Sequence, residues 1–113
     1  MRRGKRIKPR NPKRRAREFA RCYHSGERVR WVQALPCLVC GRTPSENAHI
    51  EREGMSRKAG YGKIVPLCRT HHRSLDITLG REGFEGLHRI DLAEKARMIE
   101  LMWQTWNPGE LDA

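Results

Sequence analysis

Apolar residues recur with a helical period in two parts of the chain. In "YHSGERVRWVQALPC", Val29, Val32 and Ala34 or Leu35 fall near helical spacing; Ser25 is placed to cap the start and Pro36 to stop the helix before Cys37. Trp31 anchors or flanks that face. The clearer signal lies in "REGFEGLHRIDLAEKARMIELMWQTWNPG", where Leu92, Ala96, Ile99, Trp103 and Trp106 make one apolar stripe. Asp91 and Glu94 have the spacing of a capping box and "NPG" ends the run, which predicts a C-terminal helix over about 91–106. Such a stripe belongs to a core.

Between these helices the pattern shortens. "NAHIE" and "KIVPLC" are strand candidates, and Pro66 places the second at an edge or near its end. The glycines and basic residues of "REGMSRKAGYGK" predict a loop, and "RTHHRSLDIT" predicts the start of a helix. No internal repeat is visible. The pattern describes a small α+β domain, and 113 residues suit one folded unit.

Charge divides the chain unevenly. Residues 1–30 hold 13 Lys and Arg against Glu18 and Glu27, whereas residues 31–113 hold 11 basic and 11 acidic residues. The opening is almost free of apolar side chains before Phe19, and Pro9 and Pro12 disfavour a helix. Residues 1–18 are therefore expected to be a disordered basic arm, and residues 19–113 the domain, with its core over 36–80. A polyanion is the expected partner, nucleic acid ahead of a merely solubilising tail. Arg2, Arg3, Lys5, Arg6, Lys13, Arg14 and Arg15 would supply phosphate contacts. No apolar segment follows the charges and none reaches membrane-spanning length, so a soluble, intracellular, cytoplasmic protein is expected.

The four cysteines are Cys22, Cys37, Cys40 and Cys68. Cys37-x-x-Cys40 and Cys68-x-x-His71 have the spacing of two zinc knuckles, and together they supply four tetrahedral ligands. A structural zinc would staple a small core. Cys22 is left as a free thiol. His72 follows a ligand directly and should project away from that zinc. On a helix beginning near Thr70 it shares a face with Asp76 at i+4, and the pair suits a harder cation, magnesium or manganese. His49, on a strand, would face the pair if the strands pack on that helix. His24 and His88 have no partners at informative spacing and read as surface residues.

Taken together, "PCLVCG", "AHI", the glycine-rich basic loop and "VPLCRTHHRSLD" resemble the HNH, or His-Me finger, endonucleases. The closest likeness is to small phage and prophage members that carry a zinc knuckle around a ββα-metal unit, and it runs from about Pro36 to Asp76. The resemblance implies a ββα-metal fold with His49 as general base and His72 as the metal-binding histidine that opens the helix. Asp76 falls where many relatives have a second ligand. Lys63 stands where the family has its central Asn, and Ala48 where relatives often have another metal-binding residue.

On this reading His49 takes a proton from water, and the cation at His72 and Asp76 acts on the scissile phosphate. Arg52, Arg57, Lys58 or Lys63 contact phosphates, and the products carry 5′-phosphates. The expected function is metal-dependent cleavage or nicking of DNA in a phage-infected or lysogenic bacterial cell, with RNA standing beside DNA as a candidate partner. Two alternatives stand beside it: a nonenzymatic zinc module that binds nucleic acid, and an accessory nuclease that needs a phage or host recombination or packaging protein.

Overall fold

The computed structural model describes residues 11–53 and 57–106, apart from the side chains of residues 52–58. Two helices, α1 (Pro12–Tyr23) and α2 (Gly26–Ala34), lead into β1 (Glu46–His49), followed by β2 (Arg52–Glu53) and β3 (Arg57–Lys58). A 3₁₀ turn at Tyr61–Lys63 feeds β4 (Ile64–Leu67). Then come α3 (Arg69–Arg73), a π-helical stretch (Ser74–Leu79), α4 (Gly80–His88) and α5 (Leu92–Trp106).

The basic segment departs from the disordered arm expected over residues 1–18. Residues 1–10, with Arg2, Arg3, Lys5 and Arg6, lie outside the described residues, but residues 12–18 are helical. Pro12 sits in the first turn, where its missing N–H is no loss, and Asn11 caps the helix. Its Oδ1 accepts from the N–H groups of Lys13 and Arg14 at 2.8 and 3.3 Å.

Helix α2 begins where expected, with Ser25 Oγ accepting from Arg28 N–H at 3.1 Å. Helix α5 is capped twice. Asp91 Oδ1 accepts from Glu94 N–H at 3.1 Å, and the Glu85 carboxylate of α4 accepts from Leu92 N–H at 2.8 Å. Its stripe buries Leu92, Ala96, Ile99 and Trp103, while Trp106 at the far end stays 41% exposed.

Strands β1 and β4 pair antiparallel, with Glu46 opposite Leu67 and His49 opposite Ile64. All four residues of β4 are buried, whereas in β1 only Ala48 is. The main core gathers Ala48, Ile50, Val65, Leu67, Leu75, Phe84, Leu92 and Ala96 around it. The segment expected as a plain loop contains the short β2–β3 pair, and the run through Gly83 and Gly86 is helix α4.

Where α2, α5 and the 3₁₀ turn meet, Arg28 is completely buried. Its Nη2 donates to Glu100 at 2.7 Å, and its guanidinium carbon lies 5.1 Å from the Tyr61 ring and 5.8 Å from the Trp103 ring. The aromatic faces stand where its Nε and Nη1 have no hydrogen-bond acceptor.

Candidate functional site

The knuckle begins as α2 ends. Cys37 N–H donates to Arg42 O, and Gly41 N–H returns to Cys37 O at 2.9 Å, a turn that puts Gly41 at φ +76°. Only a residue without a Cβ adopts that conformation freely. Leu38 N–H donates to Pro66 O at 3.1 Å and ties the knuckle to β4. One residue past β4, Cys68 opens α3, and His71 lies one turn on.

These elements bring together the four residues expected to bind zinc. Ligand atoms of Cys37, Cys40, Cys68 and His71 all lie within 4.8 Å of one another, the one such group among the described residues. Cys40 Sγ and Cys68 Sγ are 3.7 Å apart, and His71 Nδ1 lies 3.2 Å from Cys68 Sγ and 3.7 Å from Cys37 Sγ. Two thiolates on one tetrahedral zinc stand about 3.8 Å apart, and a thiolate and an imidazole about 3.6 Å. The cluster has the chemistry and spacing to bind a metal such as zinc.

Local fields prepare these donors unequally. Burial opposes the Cys37 thiolate, but N–H groups of Cys40, Cys68 and Val39 point at its sulfur and hold the thiol below its ordinary 9.0. Burial, reinforced by the Cys40 and Cys37 sulfurs, pushes Cys68 above 9.0. His71 is held below 6.5 by burial and by the nearby charges of His88 and Arg42, which keeps its imidazole in the neutral, ligating form at neutral pH. His88 is no isolated surface residue: its ring packs edge-on to His71 at 5.5 Å and against Phe84 at 4.5 Å.

His72 turns away from the cluster, as its position after His71 predicts. Its Nε2 lies 3.2 Å from Asp76 Oδ2 and its Nδ1 2.7 Å from Glu46 Oε1. The helix loosens to π-type pitch between the pair, at Ser74, a device often found at functional sites. A shallow cavity of about 340 Å³ opens beside them, bordered by Arg69, Arg73 and Ile77. Glu46 joins the site from β1, where strand alternation puts it on the same face as buried Ala48.

The same alternation turns His49 to the face of β1 opposite Glu46, the residue that meets His72. His49 Nε2 lies 2.9 Å from Cys22 O, and its ring meets Tyr23 edge-on at 5.1 Å. Because a carbonyl only accepts, Nε2 is the donor in this contact. Lys63 directs its half-exposed side chain to Glu51 at 3.7 Å. Its backbone is what serves β1, accepting from Ile50 N–H at 2.9 Å.

Lys13, Arg14 and Arg15 are exposed on α1. The side chains of Arg52, Arg57 and Lys58 lie outside the described residues. His24 is exposed, as expected of a surface residue, and its ring meets Tyr61 and Trp103 edge-on at 5.0 and 5.6 Å. No helix among the described residues is long and apolar enough to cross a membrane.

A family model described as "Protein of unknown function (DUF968)" matches residues 9–103. Over 50 residues the chain is 38% identical to "Uncharacterized protein YdfU" of Escherichia coli (strain K12), a stretch covering 42% of this chain and 14% of that protein. No solved structure matches the chain.

Proposed function

We propose that this chain, which belongs to the DUF968 family, is a zinc-stapled DNA endonuclease of the His-Me finger kind that depends on a divalent cation. The observation that carries the reading is His72 between two carboxylates. A neutral imidazole has one N–H. If Glu46 takes it from Nδ1, the Nε2 lone pair faces the Asp76 carboxylate at 3.2 Å with no hydrogen between them. A positive charge between them, a second ring proton or a bound cation, satisfies both acceptors, and 3.2 Å is close to the roughly 3 Å between adjacent ligands of an octahedral magnesium or manganese.

A cation held by His72 and Asp76 would neutralise a phosphoryl oxygen and stabilise the departing oxygen. Arg69 and Arg73, at the rim of the same cavity, are placed to hold flanking phosphates. His49, whose Nε2 meets Cys22 O, would be the general base that takes a proton from water. The zinc cluster fixes the first turn of α3 and so the direction in which His72 points.

His49 and the Glu46 partner of His72 lie on opposite faces of β1, which favours a second reading, a nonenzymatic zinc module that binds DNA. Nicking of supercoiled plasmid in magnesium or manganese separates the two. Wild type is compared with His72→Ala and His49→Ala after all three are shown to retain zinc. Cation-dependent nicking lost in both variants supports the nuclease; a wild type that binds plasmid without cutting it supports the binding module.

A further inference from the structure

Helix α1 carries more than charge. Lys13, Arg14, Arg15 and Arg17 are exposed on it, with no acidic residue in its first turn. Phe19, on the same helix, is 43% exposed. Arg15, Phe19 and Tyr23 stand at i, i+4 and i+8 and so form one stripe, and Ala16 and Ala20 beside it are too small to cover the rings. Ring contacts carry the stripe onward, from Phe19 to Tyr23 at 5.4 Å and from Tyr23 to His49 at 5.1 Å. It ends where His49 meets Cys22 O in the last turn of α1.

Lysine and arginine alone serve a duplex, whose bases are stacked inside and offer no face to a ring. A single strand presents phosphates and open base faces together, and proteins that bind it combine a basic track with aromatic side chains. We propose that α1 and His49 form a platform for single-stranded DNA, with Phe19 stacking on a base and Arg15 and Lys13 holding phosphates beside it. Stacking accepts every base, so the platform selects strand state and not sequence. The inference deepens the nuclease reading by naming the form of DNA that approaches His49, and it rests on the nucleic-acid part of that reading alone.

The test is fluorescence anisotropy of the full zinc-loaded chain on labelled oligothymidine and on a duplex of equal length, without added divalent cation. Wild type is expected to prefer the single strand. Phe19→Ala should weaken that binding roughly tenfold while leaving duplex affinity and the salt dependence unchanged, and Phe19→Trp should restore it. Phe19→Leu keeps apolar volume without a ring, and it takes over the comparison if the alanine variant does not fold. A wild type that prefers duplex, a leucine variant that binds oligothymidine as wild type does, or equal losses on both DNA forms would overturn the proposal. Since no cutting is measured, a chain that grips single strands and never cleaves them keeps the platform and loses only the nuclease reading.

Discussion

Adjacent in the chain, His71 and His72 serve different clusters. His71 Nδ1 lies 3.2 Å from Cys68 Sγ, while His72 places Glu46 and Asp76 at its two ring nitrogens. The first turn of α3 is shared between them, and His72 N–H donates to Cys68 O at 2.8 Å. Whatever fixes Cys68 therefore fixes His72.

Zinc should thus govern both clusters. One zinc per chain is expected by elemental analysis, and Cys40→Ser or chelation should lower the melting temperature steeply, because structural zinc contributes on the order of 10 kcal/mol. The same treatment should abolish manganese binding followed by electron paramagnetic resonance, although no residue of the His72 pair has changed. Manganese affinity that survives zinc loss would break the coupling.

Glu46 is expected to act by orienting His72. Carboxylates that support a metal-bound histidine typically alter metal affinity about 10- to 100-fold when removed. Glu46→Ala should weaken manganese binding by about that amount with zinc content unchanged, and Glu46→Gln, which keeps an acceptor, should lie between it and wild type. Calorimetric titration with manganese measures the series.

At the other end of the fold, Glu100→Gln should destabilise the protein by about 3 kcal/mol, because it leaves a buried guanidinium without its counter-charge. Replacing the pair together, as Arg28→Met with Glu100→Leu, should recover most of the loss. Urea midpoints of the single and double variants decide it.

Zinc uptake should release protons at pH 7. Cys68 is held above 9.0 and is a thiol there, so it must give up its proton to bind, whereas His71, held below 6.5, has none to give. The sign follows: zinc affinity, and the stability that comes with it, should fall as pH drops, and proton release should decline as pH rises through the Cys68 value. Titration in buffers of different ionisation enthalpy counts the protons. Zero release at pH 7 would show that the cysteines are already thiolates.

Features set by local spacing were legible in the sequence. The four residues of the candidate metal cluster form two short knuckles, Ser25 and Pro36 bracket α2, and the Leu92–Trp103 stripe needs only a period. Contacts between elements were not. The i, i+4 rule joins His72 to Asp76, but no spacing joins it to Glu46, 26 residues earlier. Pro12 misleads for a different reason: proline breaks a helix interior but is welcome in the first turn, and the cue is Asn11 before it. In α4, Gly83 and Gly86 hid a helix that Phe84 secures by burial.

The bond from Leu38 to Pro66 also bears on handling the protein. It lays the knuckle along the outer side of β4, a short, wholly apolar strand whose other side is taken by β1. Stripping the metal frees the knuckle and uncovers that side, and Pro66 removes only one donor from it. A bare strand of this kind is a template for pairing with a neighbouring molecule. Metal-free protein at high concentration should then be lost to aggregation before it is lost to unfolding, and zinc in the purification buffer becomes a matter of solubility.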